Sequence, residues 1–179
     1  TRLYKIIELN KNLFITSGET WPNNGIIIKF DESGNMLDTI NLGYKSIQSV
    51  RSVENISLNN FVALKYKYFN GNVFSIISEY DDNLNLINEI ELTESILQII
   101  KFTNGFMLCG FEFDTTANIH KALFIKINPS FKKEYKNLSE ESGFSFTPFN
   151  LFNKNFIYYF ETQTGDSLRI NYIMTDSVG

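Results

Sequence analysis

A repeat of about 48 residues constrains this chain of 179 residues more than any other feature. Each repeat contains a strand-like segment that starts with a polar residue followed by apolar ones. The first apolar residues of these segments are at positions 13, 61, 106 and 156, which are 48, 45 and 50 residues apart. Repeats of this length stack similar structural units side by side, because one unit alone cannot bury its apolar surface.

A polar turn provides a second landmark with the same period. The turns begin 50, 47 and 48 residues apart, at Asp31, Asp81, Asn128 and Asp176. Asp and Asn favour turns because their side chains hydrogen-bond to nearby backbone amides. In the first turn Gly34 provides the residue with positive φ, whereas Leu84 occupies that position in the second turn. The two landmarks predict four repeats, at about 1–45, 46–94, 95–142 and 143–179.

The segments within each repeat are typical of β-strands. In the third repeat they are 96–102, 106–113, 122–127 and 132–136. The chain has 17 Phe and 9 Tyr, and aromatic residues favour strands. No window keeps a helical period of 3.6 residues, so we predict no long helix. Glu140 and Glu141 are expected in either a single helical turn or a loop.

Four antiparallel strands in each repeat of this length are typical of the blades of a β-propeller. We therefore predict an all-β fold in which the whole chain, 1–179, is one propeller domain or a fragment of one. It would contain about four blades, the last without its outer strand. The blades either belong to a larger ring of six to eight or form a complete ring of four. A β-sandwich is the competing fold, but it does not require equal repeats.

The third repeat resembles a known class of blade. Segment 105–111 is an apolar strand flanked by glycines, and segment 122–128 ends in an apolar–Lys–apolar–Asn step. Segment 25–35 of the first repeat shows a pattern like that of 122–128. This pattern resembles blades of exported β-propeller proteins of the Bacteroidota type. The second repeat departs from it at Leu84, and the fourth lacks the Lys step. The resemblance implies export to the periplasm, the outer membrane or the cell surface, and it implies no catalytic residues.

Charge and composition exclude several classes of function. The net charge is −4, and the longest basic run is Lys132-Lys133, so we expect no nucleic-acid partner. No apolar run is long enough for a transmembrane segment. The single cysteine, Cys109, excludes an internal disulfide and is expected in the core. Because neither an initiator Met nor a signal peptide is present, we expect a mature form or a segment of a longer protein.

Catalytic and metal-binding patterns are weak, so we predict no catalytic residue, metal site or cofactor. His120 is the only histidine and is expected to be structural or solvated. The turns at Asp31 and Asp81 resemble the start of a calcium loop but lack its glycine at position six and its glutamate at position twelve. Glu89 and Glu91 share one face of an outer strand, where we expect them to be solvated.

The connections between the second and third strands offer the best candidates for binding. Trp21 is the only tryptophan, and it lies in such a loop, where an exposed indole would anchor a protein or a sugar. The alternative is that its ring folds back over the rim of the core. The remaining candidate binding residues are Glu19, Tyr68, Phe69 and Asp114.

The sequence supports three hypotheses of function. The first is a non-enzymatic, exported interaction module that presents its loop face to a protein partner. The second is a carbohydrate-binding or glycan-processing propeller at the cell surface. The third is a hydrolase whose catalytic groups lie in blades outside this chain.

Overall fold

The computed structural model describes residues 1–43, 47–70, 72–102, 104–116, 118–142, 145–150, 156–164 and 167–175. The fold is all-β, as the sequence predicts, with strands β1 (Arg2–Asn10), β2 (Leu13–Thr20), β3 (Asn24–Asp31), β4 (Met36–Asn41), β5 (Ile47–Asn55), β6 (Asn60–Phe69), β7 (Asn72–Asp81), β8 (Leu86–Leu92), β9 (Ser95–Phe102), β10 (Gly105–Asp114), β11 (Ile119–Ile127), β12 (Lys133–Ser142), β13 (Ser145–Asn150), β14 (Phe156–Thr164) and β15 (Ser167–Thr175). Within these residues, no helix has the length and hydropathy to span a membrane.

The strands form three four-stranded antiparallel sheets, β1–β4, β5–β8 and β9–β12, together with a three-stranded sheet, β13–β15. In every sheet the strands follow chain order, so each strand pairs with its sequence neighbours. Each sheet corresponds to one predicted repeat. We refer to them as the first to fourth sheets.

The end of the third repeat corrects one expectation. Glu140 and Glu141 lie within β12, which pairs with β11 from Lys133 to Ser142. The expectation of a helical turn or a loop is therefore wrong, and the fourth strand of this repeat is longer than the segment 132–136. Pairing with a neighbouring strand decides the conformation here, because local propensity for strand is weak and depends on context.

The predicted turn recurs with the same hydrogen bonds in the first three repeats. The side chain of the opening residue accepts from the backbone amides two and four residues further on, at 2.8–3.0 Å. The opening residues are Asp31, Asp81 and Asn128. Next to each turn the strand pairing contains a bulge. The fourth predicted turn, at 176–179, lies outside the described residues.

The fourth position of these turns has positive φ in all three repeats. The φ angles are 80° at Gly34, 63° at Leu84 and 61° at Phe131. A side chain at such an angle costs about 1–2 kcal/mol. Leu84 and Phe131 are both buried, and the Phe131 ring packs 6.4 Å from that of Phe106. Burial of the side chain therefore offsets the strain where glycine is absent.

The chain divides into two compact units, Thr1–Thr93 and Glu94–Gly179. In the first unit, the first and second sheets pack face to face around one apolar core. Its buried residues are Leu9, Ile15, Ile27, Leu42, Ile47, Val50, Val53, Phe61, Ala63, Ile76, Tyr80 and Leu84.

Polar contacts between these two sheets join residues about one repeat apart. Lys5 pairs with Glu54. Asn10 Nδ2 donates to the Leu58 carbonyl oxygen at 3.0 Å, and Lys29 Nζ donates to the Asp82 carbonyl oxygen at 2.5 Å. The last two contacts bring the turns at one end of the first sheet beside the corresponding turns of the second. The two sheets are therefore stacked in the same orientation.

In the second unit, the third sheet has an apolar core of its own. One of its faces buries Ile100, Met107, Cys109, Ala122 and Phe124. Cys109 is a buried cysteine of this core, which confirms its predicted place. Gly110 is required in this sheet, since a Cβ atom there would lie 2.0 Å from the Ser95 carbonyl oxygen.

Candidate functional site

The connection between β2 and β3 lies at the end of the first unit opposite the contact between Asn10 and Leu58. The topology places the tip of β6 and β7 at this same end, because the two sheets share one orientation. We call this end of the first unit the loop end. It carries four of the five candidate binding residues: Glu19, Trp21, Tyr68 and Phe69.

Trp21 is the most exposed aromatic residue of the loop end. Only three residues connect β2 to β3, and the third, Asn23, has a φ of 68°. This tight connection leaves Trp21 88% exposed. Its indole is therefore presented to solvent instead of covering the rim of the core.

An ion pair lies beside Trp21. Arg2 of β1 is the cross-strand partner of Glu19 of β2, and their guanidinium and carboxylate groups are 3.6 Å apart. The strands approach closely at the neighbouring Gly18, where a Cβ atom would lie 2.2 Å from the Arg2 carbonyl oxygen. A groove of about 260 Å³ follows from this arrangement, lined by Thr1, Arg2, Glu19, Thr20, Trp21 and Asn23.

A cation–π cluster is built from the strands of the same two sheets. The Arg51 guanidinium lies 4.5 Å from the centre of the Tyr4 ring and 5.3 Å from that of Tyr66. Burial raises the pKa of Tyr66 to about 12. Burial also raises the pKa of Tyr4, and the nearby Glu19 carboxylate adds to that shift. Both phenols therefore stay protonated at neutral pH.

Tyr68 and Phe69 form the second aromatic feature of the loop end. They are the last two residues of β6, and Val73 pairs with Tyr68 from β7. All three side chains are exposed. Large aromatic side chains are the residues that most often anchor protein interfaces.

Asp114 belongs to the second unit, where it ends β10. Its carboxylate lies 2.9 Å from Lys121 Nζ and accepts a hydrogen bond of 3.0 Å from the Thr116 backbone amide. A groove of about 230 Å³ surrounds it, lined by Glu112, Phe113, Asp114, Thr115, Lys121 and Leu138. Asp114 thus lies at the connection between the second and third strands of its sheet. The equivalent connection in the first sheet is the one between β2 and β3.

Metal-ligating side chains and the single histidine are the remaining groups that could carry chemistry. No group of three or more His, Cys, Asp or Glu side chains is placed to hold a metal ion in that part of the chain. His120 packs between Phe111 and Phe113, with ring centres 5.1 and 4.9 Å away. Its Nδ1 atom is buried without a hydrogen-bond partner, whereas a catalytic histidine is oriented by an acceptor at that atom.

Sequence reasoning did not identify Arg2 as part of the groove. Counting residues back from the hairpin turn at Lys11-Asn12 would pair Arg2 with Trp21. Two bulges in the β1–β2 pairing shift the register, so that Arg2 lies opposite Glu19 instead. The positions of such bulges depend on packing, and the sequence of the hairpin carries no clear signal for them.

Comparison with known proteins assigns no family. No protein-family model matches the chain, and no curated protein matches it. The proposals below therefore start from the geometry of the described residues.

Proposed function

We propose that the sheets are blades of a β-propeller that belongs to a larger ring. Three observations support this arrangement. Each sheet is a four-stranded or three-stranded antiparallel meander in chain order. The first two sheets pack face to face in one orientation, and their polar contacts are about one repeat apart. This is the packing that radial repetition of blades requires.

We further propose that the protein is a non-enzymatic interaction module that binds a protein partner through the loop end. The observation that carries this proposal is the exposure of Trp21, Tyr68 and Phe69 at one end of the first unit. A partner that covers these rings would remove a large apolar area from water, at about 25 cal/mol for each Å². The loop end therefore offers an exposed aromatic surface for contact with a partner.

Export is the remaining part of the proposal, and it comes from the resemblance of the blades to exported propeller proteins. The protein would act in the periplasm, as an outer-membrane lipoprotein or at the cell surface. Fractionation of the native cells with a specific antibody tests this proposal. Recovery in the envelope or the medium is the expected outcome, and recovery in the cytosol alone would contradict it.

Pull-down after chemical cross-linking tests the binding proposal. The bait is the whole chain, and the test variant is Trp21→Ala with Phe69→Ala. The control is Leu58→Ala, because Leu58 is 71% exposed and lies at the opposite end of the first unit. We expect a partner protein retained by the wild type and the control but lost, by at least tenfold in yield, from the double variant. Equal retention by the double variant would exclude the loop end as the binding surface.

A glycan ligand is the second candidate, and one specific observation favours it. The groove beside Trp21 places an exposed indole next to the Arg2–Glu19 ion pair and the Asn23 amide. An aromatic face with polar groups beside it suits a sugar ring, which has an apolar face and a rim of hydroxyls. Because Trp21 is the only tryptophan, its fluorescence reports on this groove alone. A shift of emission with a glycan-array ligand, absent in Arg2→Ala, would favour a glycan over a protein partner.

A further inference from the structure

The first sheet is apolar on both of its faces. One face packs on the second sheet. We call the opposite face of the first sheet the outer face. The cross-strand pairings place seven apolar residues on it: Leu3, Ile6, Phe14, Ile26, Ile28, Phe30 and Met36. Ile6 is 56% exposed, Leu3 and Met36 are similarly exposed, and the other four are half-buried. A groove of about 290 Å³ lies on this face.

A pair of stacked rings relates the outer face to a buried surface of the second sheet. Phe14 and Phe30 are cross-strand partners whose rings stack 5.6 Å apart at 15°. In the second sheet, Phe61 and Tyr80 are cross-strand partners whose rings stack 5.5 Å apart at 19°. The two pairs occupy equivalent positions, because Phe30 and Tyr80 each directly precede the residue that opens the recurring turn, Asp31 or Asp81.

The equivalent surface of the second sheet is fully covered. Phe61, Tyr80 and Ala63 are buried in the core between the first two sheets, where they pack on the inner face of the first sheet. Ala63 corresponds to Thr16 on the outer face, by the same register. This surface of the repeat is thus fully covered in the second sheet but only partly covered in the first, where Thr16 is buried and Ile6 and Met36 are exposed.

We propose that the outer face is the docking surface for another four-stranded sheet of this same repeat, contributed by the same natural polypeptide. The occupant would present an apolar face like the one formed by Ile7, Leu9, Ile15 and Ile27, since that is the surface that covers Phe61 and Tyr80. This inference rests on the proposed propeller arrangement and does not depend on binding at the loop end.

The size of the outer face favours an occupant in the same polypeptide over a second copy of this chain. Four strands and three rows of residues cover roughly 400 Å². A stable complex between separate proteins buries about 800 Å² on each partner. A tethered sheet needs less area, because the linker raises its effective concentration to the millimolar range.

Thiol labelling compares the 179-residue chain with the natural full-length polypeptide. The probe is Ile6→Cys, and Met36→Cys is a second probe in case the first variant does not fold. Cys109 is buried in the 179-residue chain and provides the unreactive reference. Leu58→Cys is the control, since it is exposed and lies off the outer face.

We expect both probes to react quickly in the 179-residue chain and at least tenfold more slowly in the full-length polypeptide, with Leu58→Cys reacting equally in the two. Equal rates at both probes would overturn the proposal. A parent reading frame without a further repeat would also overturn it. Protection that grows with the concentration of the 179-residue chain would assign the face to a second copy instead. If the probes are protected but the loop-end pull-down fails, only the binding proposal is lost.

Discussion

Lys65 Nζ lies 2.5 Å from the Glu89 carboxylate, although the Lys65 side chain is only 2% exposed and that of Glu89 is 40% exposed. The same carboxylate oxygen accepts a hydrogen bond of 2.7 Å from Ser78 Oγ. Lys65 also donates to the Tyr80 hydroxyl at 3.3 Å. Glu89 is exposed, as expected for an outer strand, and its carboxylate in addition compensates a buried cation.

The two partners of this ion pair should respond differently to substitution. Glu89→Gln removes the carboxylate that pairs with the buried ammonium group of Lys65, so we expect the free energy of unfolding to fall by about 1–3 kcal/mol. Lys65→Met removes the charge but keeps a side chain of similar length, and we expect a change within about 1 kcal/mol. Urea unfolding at neutral pH measures both variants. A larger loss in Lys65→Met than in Glu89→Gln would contradict the prediction.

The turn positions with positive φ offer a second test. Gly34→Leu introduces strain with no compensating contact, because a Cβ atom there meets nothing within 4 Å. We expect a loss of about 1–2 kcal/mol. Leu84→Gly relieves the same strain but removes a buried side chain, and we expect a net loss of about 1–3 kcal/mol. Thermal unfolding of both variants is the measurement, and stabilisation by Leu84→Gly would show that burial does not outweigh the strain.

The recurring turns should make stability depend on pH. A hydrogen bond from the Asn35 side chain, with one from its backbone amide, lowers the pKa of Asp31, and Asn85 acts in the same way on Asp81. Both groups have a lower pKa in the folded than in the unfolded protein. Their contribution is therefore fully present above the ordinary aspartate pKa of about 4 and is lost as the pH falls through the folded value.

Asparagine substitution separates this charge effect from the turn itself. Asn128 opens the third turn with the same backbone hydrogen bonds, so Asp31→Asn with Asp81→Asn should keep the fold. We expect the double variant to lose less stability than the wild type between about pH 5 and pH 3. Melting temperatures across this interval provide the measurement, and parallel curves for the two proteins would rule out a role for these carboxylates.

His120 provides a test of the structural role. Its buried Nδ1 atom has no hydrogen-bond partner, which costs about 1–3 kcal/mol for a typical polar group. His120→Phe removes that group between two phenylalanine rings, and we expect it to raise the free energy of unfolding by about 1 kcal/mol. Chemical denaturation is the measurement, and Cys109 labelling under native conditions checks that the core of the sheet stays closed. A loss above about 1 kcal/mol would mean that His120 has a favourable polar contact.

Much of the fold could be predicted from the sequence, because its signals are local. The turns at Asp31, Asp81 and Asn128 depend on a side chain that bonds to amides two and four residues away, so residue identity is nearly sufficient. The repeat period follows from those turns together with the apolar segments. The burial of Cys109 follows from the apolar strand around it.

The candidate site was predictable only in part. The exposed aromatic residues Trp21, Tyr68 and Phe69 are visible in the sequence, since they flank predicted loops. Their common location at the loop end requires the two sheets to stack in one orientation. The partnership of Arg2 with Glu19 requires two bulges.

By itself the sequence determined the all-β class, the repeat and the turns, because each depends on residues close together in the chain. Only the tertiary structure decided that Lys65 is buried, that Glu140 continues a strand, and that one apolar face of the first sheet is open. These features depend on contacts between residues far apart in sequence, where the same local pattern is compatible with either a covered or an exposed surface. Phe14 and Phe61 show this best, since they occupy equivalent positions in two repeats and only Phe61 has another sheet packed against it.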